Sequence, residues 1–181
     1  MQTKAIILRK QPSREYDQLV TCYSQELGKF TAVAKSSLKM GSIQGRHLDT
    51  LNLVDFDLIN GRATSIIAGA HCERSFRTIK TSLPHLAAAS FFLEVVNRIA
   101  YDHQADEKLW AFLINTLNDL EQLSEHELLS LFRQKQRDFL IVLGYGSQLA
   151  AVVDNANELD GYFEYTFGVR LSSLPFLYHV I

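Results

Sequence analysis

The residues of this chain best suited to chemistry are cations. Residues 35–47 read Lys-Ser-Ser-Leu-Lys-Met-Gly-Ser-Ile-Gln-Gly-Arg-His, with three fixed positive charges at Lys35, Lys39 and Arg46, small residues between them and no acid. Such a loop can follow a phosphate backbone with point charges, hydroxyls and exposed N–H groups. Arg9, Lys10, Arg14 and Lys29, with Lys4, extend the positive surface if the fold brings them to one side. The alternative is a solvated loop whose charges meet no ligand. Aromatic platforms for bases are scarce: Tyr16, Tyr23, Phe30 and Phe56 are the aromatic residues of the strand region, and Phe30 and Phe56 fall in core positions.

Other chemistries find no support in the spacing. No phosphate-binding glycine loop ending in Lys-Ser/Thr, no G-x-S-x-G and no H-E-x-x-H is present, so an enzyme is not expected. The six histidines are scattered, and positions such as His85 and His103 suit a surface or capping role. Cys22 and Cys72 form no C-x-x-C pair and sit in strand-like segments, where free cysteine behaves as a small buried hydrophobe. No metal ligands and no cofactor are therefore expected. The longest apolar stretches fall short of the roughly 20 residues that span a bilayer, and the charged start does not read as a secretory leader. No membrane contact and a cytoplasmic location are the expectation.

The elements that must position the cations divide the chain in two. Residues 1–80 hold 12 Lys+Arg against 7 Asp+Glu, a balance of +5, whereas residues 81–181 hold 6 against 13, a balance of −7. Opposite charge in the two halves points to a polyanion partner for the first alone. In that half, residues 4–10, 18–24, 29–35, 51–59 and 63–70 have strand character. Phe30, Ala32 and Ala34 alternate with Thr31, Val33 and Lys35, and Val54, Phe56 and Leu58 alternate with Asp55 and Asp57. Gly28 serves a turn, and Asn60-Gly61 signals a hairpin. Five strands in this span suggest a small closed or nearly closed barrel. The second half changes period. Helices are expected from near Pro84 to residue 101, over 106–123 with Leu109, Phe112, Leu113, Leu117 and Leu120 inward, and from the Ser124-Glu127 capping box to Gly144. A polar connection over 147–157 leads to the last helices. The fold class is α+β, a five-stranded barrel over residues 1–78 and an all-α domain over 79–181.

Motifs in this order resemble a known family. Ala5-Ile6-Ile7-Leu8-Arg9, Tyr16-Asp17, Val20-Thr21, Glu26-Leu27-Gly28-Lys29, Val33-Ala34-Lys35 and the basic loop are similar to the start of the bacterial recombination mediators of the RecO family. Residues 87–96, 139–146 and 162–177 continue the resemblance. It implies an N-terminal OB-fold followed by a helical domain, binding single- and double-stranded DNA and annealing complementary strands. With its partner RecR, such a protein helps RecA replace single-stranded DNA-binding protein (SSB). Many members carry a four-cysteine zinc module after the motif matching Leu143-Gly144-Tyr145-Gly146. Here only residues 147–157 separate that motif from the last helices, without cysteine, so zinc is not carried over. The loop is also poorer in arginine than is usual in the family. A groove for the acidic SSB tail would need cations, and Arg133 and Arg137, four apart on one helix, with Lys135 or Arg170 beside them, are the candidates; ion pairing with neighbouring acids is the competing reading. A general RNA- or DNA-binding OB protein, or an interaction adaptor without strong DNA binding, are the alternative functions.

Overall fold

Alternating side chains in the first half do form strands: β1 Gln2–Pro12, β2 Gln18–Ser24, β3 Gly28–Ala34, β4 Leu53–Ile59 and β5 Ser65–Arg74. The computed structural model describes residues 1–146, 156–167 and 171–180. The strands close into a barrel in the order β1-β2-β3-β5-β4. All pairings are antiparallel except β3 with β5. This is the arrangement of an OB-fold. Closure depends on β1, which pairs with β4 through Gln2–Ile6 and with β2 through Ala5–Pro12. Its register slips between Ile7 and Arg9, and such an extra residue bends a strand enough to serve two neighbours.

The barrel interior holds Phe30 and Phe56 edge to face, centroids 6.2 Å apart, with the small Ala5, Ala32 and Ala34 leaving them room. Leu48, from the β3–β4 connection, is buried in the same cluster and fastens that connection to the barrel. Asp55 and Asp57 face outward as their alternation requires. The Asn60-Gly61 turn does join two antiparallel strands, through residues 60–64, and the final strand runs to Arg74, beyond the span expected from the sequence.

Helices follow: α1 Arg77–Thr81, α2 Leu83–Ile99, α3 Glu107–Gln122, α4 Leu128–Val142, α5 Ala156–Phe167 and α6 Ser173–Val180. By contact the chain forms two units, Met1–Phe76 with Ala100–Glu107 and Arg77–Ile99 with Lys108–Ile181. Helix α1 has no counterpart in the sequence reading. At its start the Glu121 carboxylate accepts from the N–H groups of Thr78 and Ile79, at 3.1 and 3.0 Å, a cap supplied from far along the chain. Helix α2 is apolar on nearly every side and central to its unit, where Phe91 and Phe92 meet Phe112, Phe132, Phe139 and Phe163 with centroids 5.0–6.4 Å apart. Leu109, Phe112, Leu113, Leu117 and Leu120 of α3 point inward as the period requires. Helix α4 ends at Gly144, φ +90°, with Gly144 N–H bonded to Ile141 O and Tyr145 N–H to Leu140 O, a Schellman stop. The polar connection expected over 147–157 lies outside the described residues except for Ala156 and Asn157, which open α5.

His85, expected in a surface or capping role, is buried at the start of α2 and reaches the carbonyl just past the end of α3. Its imidazole lies between Ser82 Oγ, 2.8 Å, and the Leu123 carbonyl, 3.1 Å, while Ser82 donates to Glu125 at 2.9 Å. The group ties α2 to the α3–α4 connection. Among the described residues no helix is long and apolar enough to cross a membrane.

Candidate nucleic-acid interface

The basic loop starts at the end of β3, and its first residues are fastened to the β1–β2 connection. Ser36 N–H donates to Asp17 Oδ1 at 2.8 Å, Leu38 N–H to the Tyr16 carbonyl at 3.0 Å, and Ser37 Oγ to Gln18 Oε1 at 3.1 Å. Ser36 is held at φ +54°, a region unfavourable for a side chain other than glycine, so these bonds must stabilise the bend. As a result the two loops present their cations together. Lys39 Nζ stands 5.4 Å from the centre of the exposed Tyr16 ring, a cation–π contact.

The β4–β5 connection completes the site. Gly61 is required in it, because a Cβ there would lie 2.2 Å from the Thr64 carbonyl oxygen. The tight turn brings Arg62 opposite Arg14 and Lys35 around an open groove of about 420 Å³, floored by Val33 and Ile66. Asp17 is the one acid of this groove, and it already receives the Ser36 amide. Three exposed cations around one acid make the groove a place for a chain of anionic groups, and the loops between β1 and β2 and between β4 and β5 are those with which OB-folds hold oligonucleotides.

Along the outer face of β2 and β3, Thr21 sits across from Thr31 with the hydroxyls 3.2 Å apart, and Leu19 across from Val33. The far end of this face is covered by residues 100–107, which return to the barrel. His103 N–H donates to the Lys29 carbonyl at 2.8 Å, and the Tyr23 hydroxyl to the Asp106 carbonyl at 3.4 Å. Gly28, φ +65°, is where this strap comes closest, since a Cβ there would lie 2.0 Å from the Gln104 carbonyl oxygen. Burial, with the Asp106 charge, pushes the Tyr23 hydroxyl up to about 12. Tyr23, Phe30 and Phe56 are thus buried, and Tyr16 remains as the exposed aromatic of the strand region.

The remaining expected cations are dispersed. Arg46 is exposed on a short 3₁₀ turn, Gln44–Arg46, whose Gln44 amide donates to the Ala68 carbonyl on β5 at 3.0 Å. Arg9 is exposed on β1, its guanidinium against the Gln11 side-chain oxygen. Lys10 pairs with Asp49 at 2.8 Å, and Lys29, 17% exposed, with Asp102 at 3.5 Å. Lys4 pairs with Glu73 at 2.9 Å, and its ammonium pKa is raised by that hydrogen bond and charge. Arg62 lies outside the cations that the sequence singles out; its signal is a positive charge directly after Asn60-Gly61.

In the helical unit, Arg133 and Arg137 do not act as a pair. Arg133, 13% exposed, donates to Asp160 at 2.7 Å and to Gln136 at 2.9 Å, and also contacts the Tyr178 hydroxyl. Lys135 pairs with Asp119 at 2.5 Å, Arg137 is exposed, and Arg170 lies outside the described residues. A four-thiolate metal site does not fit this chain, which has two cysteines, Cys22 in the barrel core and Cys72 half-buried on β5. Burial pushes the Cys22 thiol up, away from the reactive thiolate. Among the described residues no three His, Cys, Asp or Glu side chains group to hold a metal ion.

Residues 1–76 match the family model described as "Recombination protein O N terminal". The DNA repair protein RecO of Dehalococcoides mccartyi is 32% identical over 126 residues, 70% of this chain and 50% of that protein. The RecO protein of a Synechococcus strain is 30% identical over 156 residues, 81% of this chain and 55% of that protein. The Roseiflexus RecO protein is 28% identical over 147 residues, 81% and 51% of the two chains. The chain thus spans about half the length of the curated relatives it matches.

Proposed function

Because the chain belongs to the RecO family, we propose that it serves DNA repair and homologous recombination as a DNA-binding mediator in the cytoplasm. In this reading the barrel binds single- and double-stranded DNA through phosphates without reading sequence, anneals complementary strands, and helps load RecA on SSB-coated DNA. The observation that carries it is the groove in which Arg14, Lys35 and Arg62 converge from three connections, next to Lys39 over Tyr16. Arg46 and Arg9 add exposed charge outside the groove, whereas Lys10 and Lys29 must first leave Asp49 and Asp102. In the same reading the helical unit, with its acidic balance, holds the protein partners, RecR and the acidic SSB tail, with Arg137 among its exposed cations.

With four phosphate contacts on a single strand, the counterion-release slope is about 2.8, an affinity loss of about 50-fold between roughly 50 and 200 mM salt. Fluorescence anisotropy with a labelled single strand measures this, and annealing of two complementary oligonucleotides measures the activity. A flat salt response, or an unchanged slope in the Arg14→Ala/Lys35→Ala/Arg62→Ala variant, would overturn the proposal.

A further inference from the structure

The loop that carries Lys35, Lys39 and Arg46 also holds apolar side chains out in water. Met40 is fully exposed, Ile43 is 76% exposed and Leu38 45%. Local geometry keeps them there. Lys39 N–H bonds to Ser36 O at 3.2 Å and Ser42 N–H to Lys39 O at 3.0 Å, so consecutive turns put Met40 at the tip. Gly41 follows at φ +87°, with nothing within 4 Å of the place its Cβ would occupy.

Both feet of the loop are fixed. One is bonded to the β1–β2 connection through Ser36, Ser37 and Leu38. The other is held on β5, where Gln44 donates to the Ala68 carbonyl and the Cys72 N–H donates to His47 Nδ1 at 3.1 Å. Between these anchors, residues 39–43 project with Met40 and Ile43 as their exposed apolar side chains, and no acid lies anywhere from residue 35 to residue 48.

Water is a poor partner for such a tip, and the surrounding cations select an anionic ligand that also offers apolar surface. A single strand of nucleic acid has both, phosphates for Lys35 and Lys39 and the faces of its bases for Met40 and Ile43. Apolar side chains can enter a base step and unstack it, and a flexible, polarizable methionine adapts to any of the bases. The tip also answers the shortage of aromatic platforms, since Tyr16 is the exposed ring beside the groove.

We propose that Met40 and Ile43 form an apolar wedge that inserts between the bases of a bound single strand, unstacking them while the neighbouring cations hold the phosphates. The inference rests on the reading of the barrel as a nucleic-acid binder. An unstacked strand keeps its pairing edges free, which suits annealing.

The test uses the full chain and a single-stranded DNA carrying 2-aminopurine next to adenine, whose fluorescence rises when the pair unstacks. Wild type binds and the signal rises. Met40→Ser/Ile43→Ser binds about tenfold more weakly, with the salt slope unchanged and the rise lost, while Met40→Leu retains both. The substituted side chains are exposed, so circular dichroism and thermal unfolding of the double variant match wild type. The Lys35→Ala/Lys39→Ala variant does the opposite, lowering the slope and keeping the rise in the strand that remains bound.

Wild-type binding with its salt slope, but equal affinity and signal in the serine double variant, overturns the wedge and leaves the DNA reading intact. No DNA binding by wild type overturns both. A double variant that keeps DNA binding but loses binding to vesicles of anionic phospholipid overturns the wedge and assigns the tip to a membrane surface.

Discussion

Glu94 should hold the C-terminal helix in place, and its removal can be worked through from the structure. It stands on α2, and its carboxylate accepts four hydrogen bonds at the start of α6. Ser172 N–H and Oγ reach Oε1, both at 3.1 Å, and Ser173 N–H and Oγ reach Oε2 at 3.0 and 2.8 Å. Two of these donors are backbone groups left without partners at a helix start, so Glu94 is a cap supplied by another helix. Ser172 is exposed, and water replaces its two bonds in a variant. Ser173 is buried, and its two donors would lose their partner. At about 1–1.5 kcal/mol for each unsatisfied group, Glu94→Ala should destabilise the helical unit by about 2–3 kcal/mol at neutral pH. Glu94→Gln retains one acceptor oxygen and should lose about half of that. Burial opposes ionisation of this carboxyl, but the bonds from Ser173 and Ser172 together outweigh it, and its pKa lies below the ordinary glutamate range. A depressed pKa means that the stabilisation is present above the unfolded value of about 4.3 and disappears as pH falls through the folded value. Urea unfolding followed by far-ultraviolet circular dichroism at pH 7 and at successively lower pH should show the gap between wild type and Glu94→Gln closing in acid. Equal stability of Glu94→Ala and wild type at pH 7, or a gap that stays constant on acidification, would refute the reasoning.

Three further outcomes are expected. Gly28→Ala places a Cβ on the strap backbone in a left-handed conformation, so it should destabilise the barrel unit by at least about 2 kcal/mol, and faster hydrogen exchange of the His103 amide would report release of the strap. Arg62→Ala should lower the salt slope of DNA binding by about 0.7, and Lys29→Ala by less because its ammonium is paired with Asp102; equal changes measured by anisotropy would contradict the division between open and paired cations. Asp160→Asn removes the charge facing Arg133 and should destabilise the helical unit by about 3–5 kcal/mol. Burial, then the bond and charge of Asp160, push the Tyr178 hydroxyl up to about 12, so the same substitution should bring its ultraviolet titration back toward 10.

Sequence alone determined what depends on neighbours a few residues apart. The inward set Phe30, Ala32 and Ala34, the outward Asp55 and Asp57, the buried stripe of α3 and the stop at Gly144 all follow from the two-residue and 3.6-residue periods or from a single glycine. The positive sign of the candidate interface was legible for the same reason, because Lys35, Lys39 and Arg46 share one acid-free loop. Which cations remain open was decided by tertiary structure. Lys29 meets Asp102, Lys10 meets Asp49 and Arg133 meets Asp160, each across a long stretch of chain. Arg62 joins Arg14 and Lys35 only because the closed barrel brings three connections to one end. Charge availability depends on distances of a few ångströms between residues remote in sequence, and chain closure sets those distances where local periodicity does not.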